Sequence, residues 1–180
     1  MHGMTRATSA LVLAVLALPL LARAATEASS GTGAAGPPTI PASVVLWQPG
    51  DPGERLFLRG RVVDPGGRPL AGAVVFLRQA DGNGNYHDLR YRATLETAKD
   101  GTFSVSTVLP GQYWGAKHIH VRVRHEAYGD LVTRILFKGD PHLDAARDAD
   151  FAILLEEVHK DGVKMLVGGV ELILPPRVGN

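Results

Sequence analysis

From Arg55 onward, apolar and β-branched residues recur in short segments that end at residues typical of turns. The pattern predicts strands at 56–63, 73–77, 102–108, 118–124 and 131–137, with one or two more within 163–174. Turn signals such as Asp64-Pro65-Gly66-Gly67 separate these segments, whereas 145–157 fits helix or strand equally well. Strands at this spacing, with little helix, predict an all-β chain folded as an antiparallel β-sandwich.

The first residues have the pattern of a targeting segment. Arg6 precedes an apolar run at 10–21, which ends at Ala22-Arg23-Ala24. A positive start, a short apolar core and a small-x-small site are typical of a secretory signal peptide. Residues 1–24 are therefore predicted to be a cleaved signal peptide and the protein to be exported, either to a periplasm or out of the cell. An uncleaved membrane anchor is the alternative, although the run is short for a bilayer span.

Composition divides the rest of the chain. Residues 25–45 are rich in small residues, Gly and Pro, which predicts a flexible linker. The remaining residues, 46–180, are predicted to form one β-sandwich domain, since 45% hydrophobic and 21% charged residues is ordinary globular composition. No segment of this domain is long and apolar enough to stay inserted in a membrane.

Charge and cysteine content exclude several classes of function. The formal net charge is +1, from 19 basic and 18 acidic residues, and no basic patch of the kind that binds nucleic acid is evident. There are no cysteines, which excludes disulfides, thiolate zinc sites and cysteine nucleophiles. Any metal ion would have to be held by His, Tyr, Asp or Glu.

A His-x-His pair lies on one of the predicted strands. Side chains alternate along a strand, so His118 and His120 share a face and can converge on one metal ion. Arg122 and Arg124 lie on the same face, so a merely solvated face is the alternative. Tyr113 precedes the pair on a loop and can reach the same point.

Six motifs follow one another between Gly60 and Pro141. They are Gly60-Arg61-Val62-Val63-Asp64, Gln79-Ala80-Asp81 with Tyr86, Asp100-Gly101-Thr102-Phe103, Pro110-Gly111-Gln112-Tyr113, His118-Ile119-His120 and Thr133-Arg134-Ile135-Leu136-Phe137-Lys138-Gly139-Asp140-Pro141. In this order they resemble the catalytic domain of the intradiol ring-cleavage dioxygenases, the catechol and protocatechuate enzymes. The resemblance covers about half of the chain, and its Tyr and His-x-His part is the most specific.

The resemblance implies a non-haem ferric site. Tyr86, Tyr113, His118 and His120 match the family's four metal ligands, and Tyr86 matches the tyrosinate that the substrate displaces and that takes up a substrate proton. Ferric iron favours anionic oxygen, and a bound cation can deprotonate a tyrosine. The implied partners are a catechol-type molecule and O2, and the implied reaction is ring cleavage to a muconate-type diacid.

The chain departs from the family pattern near this site. The family usually has an arginine at the position of Gly115, a tryptophan at that of Arg78 and a glutamine at that of Arg134. Our hypothesis is that Arg134 or Lys117 supplies the missing positive charge, which makes these two, with Tyr86, the candidate catalytic residues. The alternative is that both are surface charges.

Two other functions compete with an active dioxygenase. The strand and turn motifs also resemble carboxypeptidase-regulatory and transthyretin-like sandwiches, which are usually non-catalytic binding modules. Such a module has no need of Tyr86 or the His118–His120 pair, and these residues favour the dioxygenase. The third possibility is a family member that has lost oxygenase activity and only binds iron or a phenol. The helical dimerisation segment of catechol-cleaving members is missing, so the oligomeric state stays open.

Overall fold

The computed structural model describes residues 39–144, 146–160 and 162–178. The predicted signal peptide, 1–24, lies outside these residues, as does 25–38 of the predicted linker. The strands are β1 (Ser43–Val45), β2 (Arg55–Val63), β3 (Val74–Arg78), β4 (Arg92–Glu96), β5 (Thr102–Val108), β6 (His118–Arg124), β7 (Leu131–Phe137), β8 (Ala152–Ile153), β9 (Leu155–Lys160) and β10 (Val163–Ile173). A 3₁₀ helix at Ala149–Phe151 precedes β8.

These strands form two five-stranded sheets, with the orders β1-β5-β2-β10-β9 and β4-β3-β6-β7-β8. The all-β sandwich prediction is confirmed. Both sheets are nevertheless mixed, because β1 runs parallel to β5, β10 to β2 and β8 to β7, while the other pairs are antiparallel. Within the described ranges, no helix is long and apolar enough to cross a membrane.

The core lies between the two sheets and consists of the inward side chains of both. One layer comes from the first sheet, with Leu56, Leu58, Val105 and Leu172, and the other from the second, with Val75, Leu95, Ile119, Val121 and Ile135. Strand β6 alternates strictly, so Ile119, Val121 and Val123 are buried and the residues between them face outward. This alternation places the His-x-His pair on the outer face of the second sheet, away from the core.

Several element boundaries match the sequence prediction and some do not. Strands β5, β6 and β7 have the predicted bounds, and a single long strand, β10 at Val163–Ile173, lies within the predicted range 163–174. Strand β4 was not predicted, because its sequence has little apolar character. Leu95 is its one fully buried apolar side chain. The ambiguous segment 145–157 contains the 3₁₀ helix, β8 and the start of β9.

The prediction of a flexible linker for 25–45 is wrong at its end. Residues Ser43–Val45 pair with Ser104–Ser106 of β5, and Val44 packs against the core. Backbone hydrogen bonds to a neighbouring strand hold this segment although its composition is that of a loop. The ordered domain therefore begins before residue 46.

Candidate metal centre

The two histidines of β6 have fixed orientations. The Nδ1 atom of His118 lies 2.8 Å from the carbonyl oxygen of Ala116. A carbonyl can only accept a hydrogen bond, so Nδ1 is the donor and Nε2 is the ring nitrogen left to bind a metal ion. A backbone partner on the far nitrogen is the arrangement that orients metal-binding histidines in proteins.

The free nitrogen of His118 faces the same atom of His120, with Nε2 to Nε2 at 3.1 Å. The ring centroids are 4.6 Å apart and the rings nearly perpendicular, at 89°. Imidazole–metal bonds of about 2.1 Å that meet at a right angle would separate the two nitrogens by about 3 Å. The pair therefore has the spacing of neighbouring ligands of one ion.

Two loops bring the tyrosines to this pair. A Cβ atom on Gly84 would overlap the carbonyl oxygen of Gln112, and one on Gly111 would overlap the amide nitrogen of Gly84. The loop that ends at Tyr86 and the loop that ends at Tyr113 thus touch backbone to backbone, which glycine permits and a larger residue does not. This contact puts both tyrosines next to β6.

All four predicted metal ligands lie together. The ring centroids of Tyr86 and Tyr113 are 5.1 Å apart, at an interplanar angle of 78°, and those of Tyr86 and His120 are 6.3 Å apart. We call this group of Tyr86, Tyr113, His118 and His120 the candidate metal centre. Tyr113 is 47% exposed, so the centre is open to solvent and to a small molecule.

Asp81 connects the two loops. Its side chain accepts hydrogen bonds from the backbone nitrogens of Asn83 and Asn85, both at 2.9 Å, and lies 2.9 Å from Nε2 of His87. Its carbonyl oxygen accepts from the nitrogen of Gly111 at 2.7 Å. Burial alone would raise the pKa of Asp81, but the bonds from His87, Asn85 and Asn83 outweigh it and hold that pKa below its usual value. Asp81 is therefore a charged anchor of both loops.

The phenol of Tyr86 is protonated when no cation is bound. Partial burial raises its pKa above the usual value, the guanidinium of Arg78 works against that rise, and Tyr113 adds to it. Arg78 lies over the Tyr86 ring, 5.0 Å from its centroid. A cation bound at the centre would have to displace the phenol proton, as bound metal ions do.

His120 favours its neutral form. Partial burial lowers its pKa, and electrostatic interactions with His118, Arg134 and Arg78 lower it further. Because a metal ion binds the neutral imidazole, this shift favours metal binding at neutral pH. The donor set of two phenols and two neutral imidazoles suits a hard, highly charged cation such as ferric iron.

The two predicted catalytic cations are placed differently. Arg134 lies directly opposite His120 on the neighbouring strand β7, and its guanidinium is 3.9 Å from Asp148. Lys117 immediately precedes β6, so alternation directs its side chain away from the face of His118. The backbone nitrogen of Lys117 donates a hydrogen bond to the side-chain carboxylate of Asp140 at 2.9 Å. Arg134 is thus the better placed of the two.

Arg78 was not among the predicted residues of the centre. It lies opposite His120 on β3, as Arg134 does on β7. The signal was present, because Arg78 replaces a family tryptophan, but the pairing of β3 with β6 is not visible in the local sequence. In the described part of the chain, no group of three or more His, Cys, Asp or Glu side chains is arranged to hold a metal ion.

Comparison with known proteins supports the same family. A family model described as "Dioxygenase" matches residues 38–117. The 6-chlorohydroxyquinol 1,2-dioxygenase of Cupriavidus pinatubonensis is 32% identical over 131 residues, which cover 58% of this chain and 46% of that enzyme. Over about half of its length, the chain is similar to the intradiol ring-cleavage dioxygenases. It spans about half the length of the curated family members it matches.

Solved structures of the family have the same fold. The dioxygenase domain of a carbohydrate-binding fusion protein from Streptomyces sp. SirexAA-E is 28% identical, with a TM-score of 0.61 and coverage of 81% of this chain and 96% of that one. Catechol 1,2-dioxygenase from Pseudomonas arvilla C-1 is 24% identical, with a TM-score of 0.71 and coverage of 81% and 60%. The comparisons do not favour the alternative of a non-catalytic binding module.

Proposed function

We propose that this chain is a member of the intradiol family, a non-haem ferric dioxygenase that cleaves the ring of a catechol-type molecule with O2 to a muconate-type diacid. The observation that carries the proposal is the convergence of His118 and His120, with Nε2 atoms 3.1 Å apart, beside the contacting rings of Tyr86 and Tyr113. These four residues would hold the ferric ion. Bound there, the ion would supply Lewis acidity and a template for the substrate oxygens.

The protein's own residues would divide the remaining work. Tyr113, His118 and His120 would hold the ion throughout, whereas Tyr86 would make room for the substrate and its Oη would accept one of the catechol protons. Arg78 beside Tyr86 favours the deprotonated phenol, because it lowers the pKa that burial raises. Arg134, opposite His120, or Lys117 supplies positive charge to the electron-rich substrate ring.

Optical and oxygen-consumption measurements test the proposal. The purified protein loaded with ferric iron should show visible tyrosinate-to-iron charge-transfer absorption and should consume O2 with at least one of a panel of catechols. Tyr113→Phe should abolish O2 uptake and weaken the visible band, of which the Tyr86 contribution would remain. Tyr128→Phe is the matched control, since this hydroxyl bonds Asp64 at 3.1 Å, in another part of the domain.

Each result has a separate meaning. Absence of the visible band after iron loading would refute the metal centre. A visible band without O2 uptake on any catechol would leave a family member that binds iron and has no oxygenase activity. Equal effects of Tyr113→Phe and Tyr128→Phe would show that the loss reflects folding and not ligation.

We also propose that the protein is exported, with residues 1–24 as its cleaved signal peptide. The support is the sequence pattern of a positive start, an apolar run and Ala22-Arg23-Ala24. N-terminal sequencing of the protein recovered from cell fractions should give a chain that begins at Ala25, found outside the cytoplasm. An intact N-terminus in the cytoplasmic fraction would contradict this proposal and leave the dioxygenase proposal untouched.

A further inference from the structure

The strand register places arginines in a row with His120. Arg78 of β3 is opposite His120, which is itself opposite Arg134 of β7. On the other side, Arg78 is opposite Arg92 of the edge strand β4. Side chains at paired positions share one face of a sheet, so three guanidinium groups and one metal-binding imidazole form a single row on the outer face.

The three arginines differ in what they already bind. Arg134 lies 3.9 Å from the carboxylate of Asp148, and Arg92 donates to the carbonyl of Asp88 at 2.9 Å. Among the described residues, Arg78 makes neither an ion pair nor a hydrogen bond with its side chain, and its recorded side-chain contact is the face of the Tyr86 ring. Its donors are therefore available to a ligand beside the candidate metal centre.

Charge along the row also favours an incoming anion. Like charges directly opposite on neighbouring strands destabilise a sheet, and Arg78 faces Arg92 in this way. An anion near Arg78 would relieve that repulsion. The planar fork of a guanidinium matches a carboxylate, with which it forms two parallel hydrogen bonds.

We propose that Arg78 binds an anionic substituent of the substrate, and hence that the preferred substrates are catechols with a carboxylate on the ring or on a side chain. This inference rests on the proposed function, because it assumes that the two catechol oxygens occupy the centre of Tyr86, Tyr113, His118 and His120. The carboxylate then extends along the row toward β3. A neutral catechol makes the same oxygen contacts and gains nothing from Arg78.

Matched acid and amide ligands isolate the effect of the charge. The non-reactive probes are 4-hydroxybenzoate and 4-hydroxybenzamide, whose dissociation constants are measured by calorimetry on the iron-loaded and on the metal-free protein. The reactive pair is 3,4-dihydroxybenzoate and 3,4-dihydroxybenzamide, compared by kcat/KM. An exposed ion pair is worth up to about fivefold in affinity, so the wild-type protein should prefer the acid by about that factor, and less at high salt.

Substitutions assign the preference to one residue. Arg78→Gln should bring the acid-to-amide ratio to about one, and Arg78→Lys should keep part of it. Arg92→Gln is the matched control, because it removes the same charge from the neighbouring position in the row and should keep the preference.

Three results would overturn the inference. They are an acid-to-amide ratio of one in the wild-type protein, no binding of either probe to the iron-loaded protein, and equal losses in Arg78→Gln and Arg92→Gln. Equal losses would indicate that the carboxylate responds to the summed positive charge of the arginine row and not to a direct contact with Arg78. If the ring-cleavage proposal fails, the result is different: the protein shows no visible iron band and no O2 uptake. The acid-to-amide ratio of dissociation constants can still be measured on the metal-free protein.

Discussion

The carboxylate of Asp81 lies 2.9 Å from Nε2 of His87, so a buried charge anchors the residue that follows Tyr86. The same carboxylate accepts two backbone hydrogen bonds from within the loop, and the Asp81 carbonyl accepts one from Gly111 in the loop of Tyr113. The positions of both tyrosines therefore depend on a residue that is not itself a metal ligand.

We expect Asp81→Ala to lower stability and to weaken iron binding together. Loss of a buried, charged acceptor leaves donors of the loop without partners and costs about 1–3 kcal/mol. Denaturant unfolding measures the first effect and titration of the visible iron band the second. Asp81→Asn should give smaller losses in both, since an amide oxygen still accepts hydrogen bonds but does not attract His87.

The control for this prediction is Asp100→Ala. Asp100 accepts hydrogen bonds from the backbone and hydroxyl of Thr102 in an exposed turn away from the centre. It should leave iron binding unchanged. Retention of the full iron band in Asp81→Ala would show that the loops hold the tyrosines without this anchor.

Gly84→Ala is expected to damage the centre through a backbone clash. The new Cβ would overlap the carbonyl oxygen of Gln112, and because this is a backbone atom, one of the two loops must move. Gly139→Ala is a closely matched control. Both glycines have φ of +87°, but a Cβ on Gly139 meets nothing within 4 Å.

The two variants share the cost of a left-handed backbone, about 1–2 kcal/mol. Gly84→Ala should lose more than Gly139→Ala in unfolding free energy, and of the two only Gly84→Ala should weaken the visible iron band. Equal losses of stability with the iron band intact in both would mean that the loops of Tyr86 and Tyr113 need no close contact.

The sequence predicts those parts of the fold that local pattern determines. Strand β6 has the predicted bounds because its apolar residues alternate and flanking residues end the run. Strand β4 could not be predicted in this way. Its sequence, Arg92–Glu96, has little apolar character. The segment is a strand because its backbone pairs with that of β3 through hydrogen bonds.

The same distinction applies to the candidate metal centre. The common face of His118 and His120 follows from a period of two, which any strand imposes. Tyr113 lies on the loop just before β6, so the sequence itself indicated that it could reach the pair. The approach of Tyr86 depends on contact between two loops far apart in sequence, so only the family resemblance indicated its role. The place of Arg78 beside His120 depends on the register of β3 against β6, which the local sequence does not specify.

Arg134 should matter more to turnover than Lys117. Its guanidinium carries charge directly opposite His120, whereas alternation turns Lys117 to the other face. We expect Arg134→Gln to lower kcat with unsubstituted catechol by about tenfold, equivalent to about 1.4 kcal/mol, and Lys117→Gln to change it little. Iron content is measured in each variant, so that a loss of metal is not mistaken for a loss of rate.

Unsubstituted catechol separates this prediction from the anion-binding role of Arg78, because it has no carboxylate. If Arg134→Gln turned over catechol at the wild-type rate, Arg134 would be a surface charge held by Asp148. If Lys117→Gln gave the larger loss, the lysine side chain would have to reach the centre from the other face of the strand.

The buried carboxylate of Asp64 should make the stability of the fold sensitive to acid. Its oxygens accept from the backbone nitrogens of Gly66 and Arg68, from the Arg68 guanidinium at 2.7 Å and from the Tyr128 hydroxyl at 3.1 Å. The backbone bond from Arg68 is the largest cause that holds the pKa of Asp64 below its ordinary value of 3.8, against the opposing effect of burial. A depressed pKa means that the folded protein favours the charged form.

The sign of the pH effect follows from that shift. The stabilisation by Asp64 is fully present above the unfolded pKa of 3.8 and is lost as the pH falls through the lower folded pKa. In urea unfolding, wild-type protein should therefore exceed Asp64→Asn in stability by a constant amount near neutral pH, and the difference should shrink as the pH falls below 3.8. A difference that stays constant down to the acid transition would mean that Asp64 has the same pKa in the folded and unfolded chains, and that its hydrogen bonds do not favour the charged form.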